Sequence, residues 1–128
     1  MFIEEVLVKE LKIILENKIY PINAPEGTLL PYLTYQANNG ENLRSIDGNY
    51  SNVFNSNFDV DLYCKTYSEL KVKTELVLKT LKGIWNKTVD GIYIQAIRVG
   101  EPTELYEHEV NCYRSNVEIQ IFYSKEAI

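Results

Sequence analysis

FDVDLYCKTYSEL, residues 58–70, holds a strand and the start of a helix with no loop between them. Phe58, Val60, Leu62 and Cys64 alternate with Asp59, Asp61, Tyr63 and Lys65, the period of two expected of a strand covered on one side. Thr66 followed by Glu69 then makes a capping box, whose two side chains satisfy backbone N–H groups that a helix start leaves unpaired. Leu70, Thr74, Val77, Leu81 and Ile84 continue as an apolar stripe, with Leu78 beside it. Gly83 suits the left-handed position that follows a helix, so the helix is predicted over about 67–82.

Working upstream, LPYLTYQAN (30–38) reads as a second strand, entered through Pro31 at its first position. Tyr32, Thr34 and Gln36 would point one way, and Leu33, Tyr35 and Ala37 the other, so each face carries a tyrosine. Residues 38–57 are rich in Asn, Ser and Gly, with Asp47-Gly48 as a turn signal, and predict a long hairpin arm with that dipeptide near its tip. Earlier still, Ile3, Val6, Leu7, Leu11, Ile14 and Leu15 recur at helical spacing and predict an amphipathic helix over 3–16. The prolines at 21, 25 and 31, with Gly27, predict an extended connector after it.

Downstream, IYIQAIRV (92–99) reads as a strand bounded by Gly91, Gly100 and Pro102, and YRSNVEIQIFY (113–123) as the last. In the latter, Ser115, Val117, Ile119, Ile121 and Tyr123 face inward and Arg114, Asn116, Glu118, Gln120 and Phe122 outward. The element order is α-β-β-α-β-β. It predicts an α+β fold: a two-layer sandwich in which a four-stranded, mainly antiparallel sheet carries both helices on one face, as a single domain over 1–128 with its arm at 38–57. Tyr63, Phe122 and one of Tyr32 or Tyr35 would then lie on the uncovered face among Asp59, Asp61, Glu118 and Gln120. Several aromatics mixed with polar groups on one sheet face suit a protein interface.

Composition excludes several classes. A chain of 128 residues, 45% hydrophobic and 24% charged, is expected to fold as an ordinary globular domain. No apolar run approaches the roughly 18 residues of a membrane helix. The N-terminal stretch carries glutamates among its apolar residues, which is unlike a signal peptide and predicts synthesis without export. A net charge of −5 argues against a general nucleic-acid binder. Residues 101–109, EPTELYEHE, are expected to form an acidic loop: Glu101, Glu104, Glu107 and Glu109 stand there without a lysine or arginine. It reads as a solvated loop, or as a docking edge or a wall that DNA passes without sticking. Cys64 and Cys112 lack CxxC spacing and a secretory context, so buried free thiols are expected.

Little chemistry is legible. The one histidine, His108, sits between Glu107 and Glu109 with no nucleophile at a telling spacing. Asp59 and Asp61, with Glu118 on another strand, could gather a divalent cation, although an outward strand face is ordinarily polar. Phosphate-binding, hydrolase and zinc motifs are missing from the sequence, so neither catalytic residue nor cofactor is assigned and a binding or assembly module is expected.

Several landmarks occur in order: "IYP" (19–21), Ala24-Pro25 and Gly27, "LPYLTYQ" (30–36), Asp47-Gly48, "FDVDLYCKTYSEL", a helix ending at Gly83, "ELYE" (104–107) and "YRSNVEIQIFY". This pattern, over nearly the whole chain, resembles the tail-completion proteins of long-tailed bacteriophages and prophages, a head–tail joining family. The long Asn-rich arm departs from it. The resemblance implies α+β subunits that form rings, often hexameric, which terminate the tail and dock to the connector of the DNA-filled head. It implies a virion location after synthesis in the bacterial cytoplasm, tail tube and connector proteins as partners, DNA passing through the lumen without specific binding, and no membrane or catalytic residue. The positions it carries over are Pro21, Pro31, Tyr32, Tyr35, Asp47, Gly48, Tyr113 and Arg114.

Joined with the sheet argument, this gives a candidate interface of Tyr32, Tyr35, Arg44, Asp47, Gly48, Tyr63 and Phe122, beside the acidic loop. Two other readings stay open: a soluble adaptor or regulatory domain that binds one protein through its exposed sheet face, and a metal-dependent enzyme using Asp59 and Asp61.

Overall fold

The computed structural model describes residues 2–44, 48 and 50–125. In chain order these form helix α1 (Ile3–Leu11), strands β1 (Ile19–Pro21), β2 (Tyr32–Ala37), β3 (Glu41–Arg44) and β4 (Tyr50–Cys64), helix α2 (Tyr67–Lys82), and strands β5 (Thr88–Val89), β6 (Ile92–Val99), β7 (Thr103–Glu107) and β8 (Cys112–Lys125). The strands join one curled, mixed sheet of eight, ordered β1-β2-β4-β8-β6-β5, with β3 also on β4 and β7 also on β8. This overturns the four-stranded two-layer sandwich and its α-β-β-α-β-β order. The additional strands β1, β3, β5 and β7 are short, and β1, β3 and β7 lie where proline, asparagine or glutamate obscures the pattern. Backbone pairing to a neighbour, rather than side-chain alternation, makes them strands. One of them, β1, pairs parallel to β2, so the sheet is not wholly antiparallel.

The frame is the antiparallel pair β4·β8, which runs from Val53↔Ser124 to Cys64↔Tyr113 without a register shift. Each of these long strands has a flanking path in two pieces. β2 and then β3 run along β4, and β6 and then β7 along β8. Both breaks hold a glycine pressed against the central pair. A Cβ on Gly40 would come within 2.4 Å of the Asn55 carbonyl oxygen, and one on Gly100 within 3.1 Å of that of Glu118. Gly100 also donates its N–H to that Glu118 oxygen at 2.9 Å. Glycine is therefore a packing requirement at Gly40, while at Gly100 a side chain would fit only if the Glu118 backbone gave way by a few tenths of an ångström.

Both helices cover one face. Phe58, Val60, Leu62 and Cys64 of β4 and Val117, Ile119, Ile121 and Tyr123 of β8 are buried beneath Val6, Leu7 and Leu11 of α1 and Leu70, Val77 and Leu81 of α2. Burying a side chain of this size contributes about 1.5–3 kcal/mol. Among these apolar groups, Thr74 Oγ1 of α2 and Ser115 Oγ of β8 hydrogen-bond at 2.9 Å. On α2, Thr66 Oγ1 accepts from Glu69 N–H at 3.1 Å, as the capping pattern predicts. Gly83 departs from expectation: its φ is −79°, and the left-handed turn comes at Asn86, with φ 64°. The first helix is also shorter than its apolar spacing, which predicts 3–16. The helix ends at Leu11, and residues 12–17 form turns that still bury Leu15 and close with Glu16 and Asn17 at φ of 53° and 68°.

A register shift between Ile94 and Ala96 of β6 bulges the strand. Ile92 and Ile94 face the helices before it, and Ile97 and Val99 after it. The Trp85 indole Nε1–H donates to the Gln95 carbonyl at 3.1 Å, which satisfies a group the bulge takes out of the ladder.

Candidate interface on the open sheet face

The face of β4·β8 away from the helices is built by the outward half of the alternation. The register sets Tyr63 opposite Arg114, Asp61 opposite Asn116 and Asp59 opposite Glu118. β2 adds Tyr32, opposite Tyr63, and β7 adds Leu105, opposite Arg114. The Tyr32 and Tyr63 rings stack with centroids 4.8 Å apart, and the Arg114 guanidinium lies 5.7 Å from the Tyr63 ring centroid. Arg114 then ties three strands together. Its Nε and Nη2 meet Asp61 Oδ1, each at 3.0 Å, and Nη1 meets Glu107 Oε1 at 3.0 Å. Asn116 Nδ2 donates to the same Asp61 oxygen at 2.9 Å. The Asp61 side chain is only 14% exposed, so this network is shielded from water more than an ordinary surface pair.

Next to it the balance changes. Asp59 accepts from Asn38 Nδ2 at 2.7 Å and pairs across the ladder with Glu118, a like charge directly opposite. Glu118 is exposed and has no ion-pair partner among the described residues. Both carboxylates line a groove of about 420 Å³ with Leu105 and Arg114. Glu118 also lines an adjoining groove of about 450 Å³ with Arg98.

The predicted interface residues do not all gather here. Tyr32, Tyr63 and Phe122 share the open face, since Phe122 lies opposite Asn55 in the same alternation. Tyr35 lies opposite Val60, on the helix face, packed against the core. Burial and then the nearby Glu4 and Glu5 hold its hydroxyl above the ordinary tyrosine pKa. Arg44 is exposed on β3 opposite position 50, roughly 40 Å along the strand from the Tyr32 pairing at position 63. Gly48 is exposed with φ 86°, and Asp47 lies outside the described residues.

Residues 101–109 are not the loop predicted. β7 occupies 103–107, because pairing to β8 prevails over an acidic, turn-like composition. The glutamates consequently part company. Glu104 faces the helix side, where Tyr67 Oη–H and Lys71 Nζ donate to its Oε1 at 3.1 and 3.0 Å. Glu107 faces the open side and pairs with Arg114, while Glu101 and Glu109 stay exposed.

Sequence reasoning missed the network around Asp61. Its residues were legible as outward positions on two strands, but the register that sets Arg114 beside Asp61 joins parts of the chain 53 positions apart. The cation site considered for Asp59, Asp61 and Glu118 is not formed. Asp61 is committed to Arg114 and Asn116, and among the described residues no group of three metal-ligating side chains is placed to hold an ion.

The thiols suit structural roles. Burial and then Glu69 push Cys64 up to about 12, and burial and then Glu107 raise Cys112. Both stay protonated near neutral pH, which works against nucleophilic use. Cys112 lines a cavity of about 660 Å³ with Tyr32, Lys65, Val110 and the 24–30 segment. Among the described residues, no helix is long and apolar enough to cross a membrane.

No family model matches the chain, and no curated protein matches its sequence. The fold does have solved counterparts. A chain described as "Virion of native gene transfer agent (GTA) particle" superposes with a TM-score of 0.70, covering 92% of this chain and 91% of that one at 10% sequence identity. At that identity the likeness is one of fold.

Proposed function

We propose that this chain is a structural subunit of a phage-like virion that assembles as a ring at the head–tail junction, completing the tail and joining it to the head. Its fold likeness to a gene transfer agent virion chain, over nine-tenths of both molecules, is the observation that carries this reading. The open sheet face supports it: stacked aromatics, a shielded Arg114 network and an uncompensated acidic pair suit a surface that another protein covers. In this role the subunit binds tail tube and connector proteins, and DNA passes through the lumen without specific contact. The work is assembly rather than catalysis, and neither metal nor cofactor takes part.

Multi-angle light scattering and negative-stain imaging of the purified chain, alone and with its tail tube protein, test this. A closed ring in either condition is the expected result. A monomer in both that instead binds one unrelated soluble protein would favour the adaptor reading and overturn the virion role.

A further inference from the structure

We infer that the open sheet face of one copy receives the outer ridge of α2 from the next copy, with Lys79 and Lys82 neutralising the Asp59–Glu118 pair. This rests on the ring reading above and names the two surfaces that would meet.

The receiving surface is incomplete within one chain. Asp59 and Glu118 oppose each other on adjacent strands, where like charges repel. Asn38 relieves Asp59 with one neutral hydrogen bond, and among the described residues Glu118 has no ion pair; Arg98 shares its groove without making one. Beside this pair Leu105 is 42% exposed on the wall of the same groove. The surface therefore calls for cations at one end and an apolar group at the other.

The helix layer carries the complement. Val72 and Leu76, 59% and 45% exposed, stand four residues apart on the side of α2 that faces away from the core. Lys79 extends the same line, with Lys82 one turn beyond it, and neither lysine has an ion-pair partner among the described residues. The spacings agree. Val72 to Lys79 spans about 10 Å of helix axis. On the sheet, the Leu105 pairing at position 114 and Glu118 lie about 13 Å apart along β8. A lysine stem covers the difference.

The two surfaces lie on opposite sides of one molecule, so the contact cannot be self-complementary. It is head-to-tail, and such contacts propagate until a rotation closes them into a ring.

The test compares wild type with Lys79→Glu/Lys82→Glu, with Asp59→Lys/Glu118→Lys, and with all four changes in one chain, by light scattering over a concentration series. The wild-type ring should dissociate at a concentration at least tenfold lower than either double variant's assembly, and the quadruple variant should recover most of the loss. Circular dichroism establishes that each variant is folded. If a variant does not fold, a Val72→Cys/Leu105→Cys chain decides instead. Mild oxidation should link copies into a ladder beyond the dimer, and no ladder would overturn the inference. A wild-type ring that both double variants form equally well would also overturn it, while leaving the ring itself standing. A wild type that never self-associates removes the ring reading and this contact together.

Discussion

Thr74 and Ser115 share a 2.9 Å hydrogen bond between α2 and β8 in surroundings that are otherwise apolar. Each hydroxyl is the other's compensation for leaving water, so losing one costs more than losing both. Ser115→Ala is expected to lower stability by about 1–3 kcal/mol, and Thr74→Val/Ser115→Ala by clearly less. Urea unfolding of the singles and the double closes the cycle. Strict additivity would show that the pair is not coupled.

Gly40 offers a sharper test of the frame. The added methyl of Gly40→Ala would meet the Asn55 backbone oxygen at 2.4 Å, and backbone in the middle of β4 cannot step aside. A loss of about 1–3 kcal/mol is expected, from the strain of overpacking. Gly48→Ala should differ in kind: it has open space around it, and only its φ of 86° opposes a side chain. Equal unfolding midpoints for wild type and Gly40→Ala would contradict the described break.

The tyrosines of β2 should separate stability from assembly. Tyr35 packs on the core, so Tyr35→Ala is expected to cost about 2–4 kcal/mol in thermal or urea unfolding. Tyr32 loses chiefly its stack on Tyr63, about 0.5–1.5 kcal/mol. Tyr32→Ala should instead weaken ring formation, read by light scattering. The reverse ordering of the two stabilities would mean that the faces of β2 are assigned the wrong way round.

Alkaline pH should weaken the fold through Cys64. Its thiol ordinarily ionises at 9.0, and in the folded chain burial and Glu69 push it up to about 12. Between those values the unfolded chain has released a proton that the folded chain keeps. The stabilisation is therefore complete below about pH 9 and is lost as pH rises toward 12. Urea midpoints measured from pH 8 to 11 should fall more steeply for wild type than for Cys64→Ala, and parallel curves would refute the assignment.

The sequence was most legible where one local rule acts alone. Period-two alternation at 58–64 and 115–123 identified the two long strands and their buried faces, and Thr66 with Glu69 placed the start of α2. It was least legible where a distant strand decides. Residues 103–107 look like an acidic loop and become β7 only because β8 offers its edge, and 41–44 become β3 along β4 in the same way. The bulge did leave a trace: inward residues shift from Ile94 to Ile97, a step of three inside a strand. Of the candidate interface, the aromatics were readable from alternation, whereas the Asp61–Arg114–Glu107 network needed the register of three strands.

The unbroken β4·β8 ladder also has a mechanical meaning. Tension that pulled these two strands past each other would load every rung from Val53↔Ser124 to Cys64↔Tyr113 in shear, so the rungs would yield together rather than unzip in turn. The flanking paths, by contrast, are each interrupted, at Gly40 and at Gly100, so neither continues the full length of the central pair. Resistance to such a pull would therefore reside in this one continuous pair rather than in its interrupted flanks.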